Sequence, residues 1–142
     1  MITAHADVVG SLLRPAELLR AREELAAGRI TAAAFKEIED RAVDWAVRLQ
    51  EDSGVEVVTD GEMRRLSFQS QMTEAVEGFG SWDIDAFLWG EWHGVEGAED
   101  WRRERPTDIG VVGKLVRKRY LSAGEFVYLR ALTRCVPKIT FP

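Results

Sequence analysis

Cysteine and histidine are scarce in this sequence: Cys135 stands alone, with only His5 and His93 beside it as soft or borderline donors. One cysteine excludes an intramolecular disulfide, and a reducing compartment suits it best. The three residues come from unrelated segments without metal-ligand spacing, so no self-contained zinc site is expected. Long apolar runs are also absent, and Met1 to Asp7 lacks the basic-then-apolar order of a secretion signal. Positive charge is not in excess, with 19 Lys and Arg against 24 Asp and Glu and a net charge of -5. Nucleic acid and anionic membrane are therefore excluded as main partners. What remains is a soluble, cytoplasmic protein. Its 142 residues, 46% of them hydrophobic, suffice for the core of one domain spanning residues 1–142.

The pattern along the chain alternates between strand and helix. Ala6 to Gly10 reads as a short strand entering a tight turn at Gly10-Ser11. Pro15 to Ala27 reads as a helix with proline at its start, stopped by Gly28. Thr31 caps a second helix, in which Phe35, Ile38, Ala42, Trp45 and Leu49 recur at spacings of three and four as one apolar stripe. Gly54 ends that helix, and Val55 to Thr59 follows at once as a strand. Asp60-Gly61-Glu62 closes the strand, and Arg64 to Val76 reads as helix.

Residues 78–120 differ in composition, with glycine, acids and the tryptophans Trp82, Trp89, Trp92 and Trp101. They read as an irregular, hairpin-like insertion, with Ile109 to Val116 as one of its strands. Ser122 caps a helix running to about Arg134, and Pro137 introduces a last strand, Lys138 to Phe141. The order predicts an α/β fold with parallel strands: Val8-Val9, Val55 to Thr59 and Lys138 to Phe141.

In parallel α/β folds, chemistry gathers where strands hand over to helices. Two corners qualify. At Val9-Gly10-Ser11, glycine lets the backbone approach a ligand, and the Ser11 amide and hydroxyl could hold a carboxylate; a plain turn with a solvated serine is the alternative. At Asp60-Gly61-Glu62, two carboxylates could bind an ammonium group or act as acid and base. The alternative there is a polar turn whose acids pair with Arg64 and Arg65. Lys114, Arg117, Lys118 and Arg119, beside Tyr120, read as a solvated basic face or a phosphate site. The tryptophans pack the insertion or stack on a flat heterocycle. Cys135 reads as a small buried apolar residue.

These corners, in this order, resemble a known family. His5-Ala6-Asp7-Val8-Val9-Gly10-Ser11-Leu12-Leu13-Arg14-Pro15 is similar to the start of the catalytic barrel of cobalamin-independent methionine synthases. Leu49 to Gly54, then Val55 to Glu62 with Arg64-Arg65, resembles that family's second strand and its loop. Val112-Gly113-Lys114-Leu115 and Pro137-Lys138-Ile139-Thr140-Phe141-Pro142 resemble its third unit. The resemblance implies a partial (β/α)8 TIM barrel, comprising the first three β/α units with the hairpin-like insertion.

It also implies methyl transfer from a folate-type donor to a thiol such as homocysteine, activated by zinc. By resemblance, Val9, Gly10 and Ser11 hold the amino-acid carboxylate and Glu62 its ammonium. The family's zinc ligands lie on later strands, and no segment here resembles those. The resemblance therefore implies a truncated or split member of the family, inactive alone, with a second chain or self-association completing the barrel. The alternative is a non-catalytic binding or assembly module that reuses the barrel's first units.

Overall fold

The computed structural model describes residues 6–67, 70–81 and 109–141. His5, His93, Pro142 and the tryptophans of the insertion lie outside the described residues. The chain forms two compact units. One comprises the chain up to Met72 together with the segment from Tyr120 onward, and the other is Thr73–Arg119. Eight elements are described in order: α1 (Ala16–Ala26), α2 (Ala32–Asp52), β1 (Val57–Val58), α3 (Ser70–Ala75), β2 (Val76–Ser81), β3 (Ile109–Arg117), α4 (Ala123–Leu132) and β4 (Val136–Pro137). Among the described residues, no helix is long and apolar enough to cross a membrane.

In the first unit the strands are short and parallel. β1 pairs with β4 in the register Val57 to Val136 and Val58 to Pro137, and Asp7 bridges Val57, also in parallel. The α/β expectation with three parallel segments thus holds, at different bounds. The last strand starts earlier than Lys138, because proline fits this ladder. Val136 N donates to Glu56 O at 2.9 Å and Lys138 N to Val58 O at 2.8 Å. Pro137 falls between the two donating positions, where its missing N–H costs no ladder bond. The Lys138 ammonium also reaches the Asp7 carboxylate and, at 2.7 Å, Val8 O, tying the third segment to the first.

α2 is the pillar of this unit. Thr31 Oγ1 accepts the Ala34 amide at 3.1 Å, and Gly54 takes the left-handed conformation (φ 76°) just past the helix end. The expected stripe is only half right. Ala42 is buried and Phe35 and Ile38 pack against the core, but Trp45 and Leu49 are 44% and 42% exposed. The buried face runs instead through Ala42, Val43, Ala46, Val47 and Gln50. At about 100° per residue the buried face is centred roughly 90° around the helix from the centre of the expected stripe, which shares only Ala42 with it. Leu18, Val58, Met63 and Leu129 complete the core, with Leu12, Tyr128 and Cys135 at its margin.

Gln50 fastens helix to strand. Its amide donates to Thr59 O at 2.8 Å, and its oxygen accepts Thr59 N at 2.9 Å. The side chain therefore takes the place of a neighbouring strand at the end of β1. Val58, Thr59 and Asp60 are all buried as a result.

The helix expected over Arg64 to Val76 is reduced to α3. Glu62, just before that span, adopts a left-handed backbone (φ 54°). Residues 61–64 form turns, held by Arg22 of α1, whose Nη2 donates to Met63 O at 2.7 Å. Ser70 Oγ then accepts the amides of Leu66 and Ser67, while Ser67 Oγ accepts that of Ser70. These local bonds compete with an earlier helical start. Ser122 also departs from expectation. It precedes α4 with φ 55° and makes no side-chain cap, since its hydroxyl donates instead to Gln71 Oε1 at 2.9 Å.

In the second unit, β2 and β3 form an antiparallel ribbon from Val76–Arg117 to Ser81–Ile109, with an irregularity between Glu77 and Phe79. Gly78 sits at that irregularity with φ 98°, and a Cβ there would lie 2.7 Å from Lys114 O. Only glycine admits so close a strand. The ribbon side chains Ile109, Val111, Val112, Leu115 and Val116 are about half exposed. Lys118 and Arg119 of the basic cluster face Glu77 and Glu74 at 3.5 Å each.

Candidate functional site

The two corners singled out in the sequence meet at the backbone. Leu12 N donates to Gly61 O at 3.1 Å, and Arg14 Nη2 donates to Glu62 O at 3.2 Å. Asp7 and β1 run parallel, so the turns that follow them leave the same end of the strands. Gly10 is left-handed (φ 80°) with open space beside its Cα, so its role is conformational. Val9 and Ser11 are exposed beside it. Gly61 is also left-handed (φ 67°), and a Cβ there would meet Met63, Ala46 and Leu12 at 3.1–3.2 Å. Gly61 serves the close approach of the two corners, and Gly10 the turn that leads into it.

The carboxylates of the second corner differ in environment. Glu62 is 3% exposed. Its Oε1 accepts the Thr140 hydroxyl at 2.8 Å and lies 3.6 Å from Arg65 Nη1. Asp60 is also buried; its Oδ1 accepts the Glu62 amide at 3.0 Å, and its Oδ2 is buried with no partner among the described residues. Burial pushes the Asp60 carboxyl above the usual range, and the charge of Glu125 adds to this. The Glu62 amide and the guanidinium groups of Arg65 and Arg64 act in the opposite sense. The corner thus presents one carboxyl held by a hydroxyl, that of Glu62, and one that burial favours in its neutral form, that of Asp60.

Arg64 and Arg65 separate. Arg64 turns to α2, pairing with Asp40 and lying 3.6 Å from Glu39, its guanidinium 4.7 Å over the Tyr128 ring. Arg65 turns inward and is 1% exposed. Its Nη2 donates to Glu125 Oε2 at 3.0 Å and to Thr140 O at 2.8 Å, while Nη1 donates to Thr140 Oγ1 at 3.0 Å. Gln71 Nε2 donates to the same Glu125 oxygen at 2.8 Å. The reading in which the local arginines neutralise both acids is thus only partly realised, because the nearest carboxylate to Arg65 is Glu125. Sequence reasoning missed Gln71, and it missed Ser122, Glu125 and Thr140, which lie far from Glu62 and Arg65 along the chain.

Zinc does not fit the described residues. Among the described residues, no group of three or more His, Cys, Asp or Glu side chains is arranged to hold a metal ion. Cys135 is half-buried against the core, its amide donating to Thr133 Oγ1 at 3.0 Å.

No protein-family model matches the chain. It is 33% identical to the YxjH protein of Bacillus subtilis over 139 residues, covering 97% of this chain and 34% of YxjH. It is 28% identical over 125 residues to the 5-methyltetrahydropteroyltriglutamate–homocysteine methyltransferase of Candida albicans, covering 88% of this chain and 15% of that enzyme. Among solved structures, one from Listeria monocytogenes described as a vitamin-B12-independent methionine synthase superposes with a TM-score of 0.66. There the identity is 26%, over 98% of this chain and 36% of that one.

The chain is a homologue of cobalamin-independent methionine synthase. The homology extends over most of this methionine synthase-like chain, which spans about a third of YxjH and of the solved methionine synthases. A B12-independent methionine synthase from Shewanella sp. W3-18-1, solved in complex with selenomethionine, shares the fold with a TM-score of 0.64 at 19% identity.

Proposed function

We propose that this chain forms the amino-acid-holding part of a methionine synthase-type methyltransferase barrel, built from the first three β/α units with residues 78–120 as an insertion. The observation that carries it is the meeting of the two corners: an exposed Val9-Gly10-Ser11 turn hydrogen-bonded, through Leu12, to the loop that carries a buried Glu62. Glu62 takes the ammonium of a homocysteine-like amino acid, and the Gly10-Ser11 backbone and hydroxyl take its carboxylate. Burial strengthens that ion pair, because the cation is held where water screens it least. The selenomethionine held by the Shewanella homologue is an amino acid of the same shape.

The methyl donor is of the folate type, and zinc supplies thiol activation in such a reaction; no ligand set for it is assigned to this chain. Completion of the barrel by a second chain or by self-association is part of this reading. A non-catalytic amino-acid-binding or assembly module would use the same corners without that completion.

The test is calorimetric titration of the purified chain with L-homocysteine. Glu62→Gln removes the charged acceptor and weakens binding by about 1.5–3 kcal/mol, the range for a charge-assisted bond. Equal affinity in the two proteins contradicts the assignment.

A further inference from the structure

We propose that Thr140 is the positioning residue that aims Glu62, with Arg65 fixing the direction of its hydroxyl. The proposal rests on Glu62 as the ammonium-binding group and deepens that reading. Glu62 is one of two non-glycine residues described with positive φ, at 54°. Such strain persists only where the surroundings over-determine it, and it gathers at ligand clamps. The backbone of Glu62 is held by Asp60 Oδ1 on its N–H and by the Arg14 guanidinium and the Arg65 amide on its C=O. Its side chain accepts one hydrogen bond from the described residues, at Oε1 from Thr140 at 2.8 Å.

A threonine hydroxyl carries one proton and two acceptor lone pairs. Arg65 Nη1 donates into Thr140 Oγ1 at 3.0 Å, which leaves the hydroxyl proton to serve Glu62. Arg65 cannot rotate away, because its Nη2 is fixed by Thr140 O at 2.8 Å and Glu125 Oε2 at 3.0 Å. Gln71 holds that same Glu125 oxygen, and Ser122 holds Gln71. The chain of bonds therefore runs from α4 through Arg65 and Thr140 to one oxygen of Glu62. The closest carboxylate to the Arg65 guanidinium is Glu125, at 3.0 Å against 3.6 Å for Glu62. Glu62 is thereby oriented at Oε1 by a neutral hydroxyl, with Arg65 as the looser partner at 3.6 Å. A direct arginine clamp would orient it equally well but would compete with an incoming cation.

The test uses Thr140→Val, which keeps the shape and removes the hydroxyl, and Thr140→Ser, which restores it. The ligand-free measurement is the Hα–Hβ couplings of Glu62 by NMR. The wild type and Thr140→Ser show one fixed side-chain rotamer, and Thr140→Val shows averaged couplings; a fixed rotamer in Thr140→Val overturns the proposal. The binding measurement uses L-homocysteine and its des-amino analogue. Thr140→Val weakens homocysteine about tenfold, the lower end for one charge-assisted bond, and leaves the analogue unchanged, while Thr140→Ser binds as wild type. Equal weakening of both ligands indicates a merely structural role and overturns the proposal. If the wild type binds neither ligand, the ammonium reading of Glu62 falls, and the couplings alone decide whether Thr140 positions it.

Discussion

Replacing Gln50 by leucine removes the one side chain that completes β1 from the side of α2. The substitution keeps roughly the same volume and is compatible with the helix, so its effect falls on hydrogen bonding. Thr59 is 2% exposed and Gln50 3%, so water cannot replace the lost partner. Two backbone groups are orphaned, Thr59 N–H and Thr59 C=O, now held at 2.9 and 2.8 Å. Each buried unsatisfied group costs about 1–3 kcal/mol. The bond from Gln50 to Ala46 O adds little, because that carbonyl also accepts within the helix.

Leucine buries more apolar surface than glutamine, an offset of about 1–2 kcal/mol. Taking the middle of the range for the orphaned groups, about 2 kcal/mol for each, the net loss is about 2–3 kcal/mol, or roughly 10–20 °C in Tm for a unit of this size. Urea unfolding followed by far-UV ellipticity reads it directly, since α1, α2 and α4 all belong to the first unit. A loss below about 1 kcal/mol with unchanged m would refute the assignment of Gln50 as the strand's partner.

Asp60 gives a pH-dependent prediction. Its folded carboxyl binds a proton more tightly than the unfolded one, so wild type loses stability as pH rises from about the unfolded value of 3.8 to the raised folded value. Asp60→Asn carries no such loss. The stability difference between Asn and Asp proteins should grow across that window and then level off, as measured by urea unfolding at a series of pH values; a pH-independent difference would show that Asp60 is not held toward its neutral form. The raised Glu39 is present in both proteins and cancels. Elemental analysis should find far less than one zinc per purified chain, because structural and catalytic zinc sites take about three or four protein ligands. One zinc per chain would contradict that expectation.

Local rules made the helices and corners legible. Thr31 and Gly54 bracket α2 by capping chemistry alone, and a glycine followed by Val-Glu-Val-Val announced the strand after it. Gly10-Ser11 and Asp60-Gly61-Glu62 stood out because strand ends followed by glycine turns are where parallel folds expose polar groups. What escaped were features set by tertiary partners. Gln50 reads as a polar surface residue until the buried face is seen to pass through Ala46 and Val47. Trp45 and Leu49 read as core, but the face that packs is centred roughly a quarter turn around the helix from their stripe. The bonds among Glu62, Arg65, Glu125 and Thr140 join residues separated by as many as 78 positions, and no local pattern marks them. The left-handed Glu62 was hidden for the same reason, since glutamate ordinarily favours helix.

The most direct measurement is an amide chemical-shift map of the isotopically labelled chain titrated with L-homocysteine. The account places carboxylate and ammonium recognition on two corners joined by the Leu12–Gly61 hydrogen bond. The amides of Gly10, Ser11 and Glu62 should therefore shift together, along one saturation curve. Saturation with those three amides unmoved, or with Glu62 following a separate curve from Gly10 and Ser11, would contradict a single amino-acid site at this end of the strands.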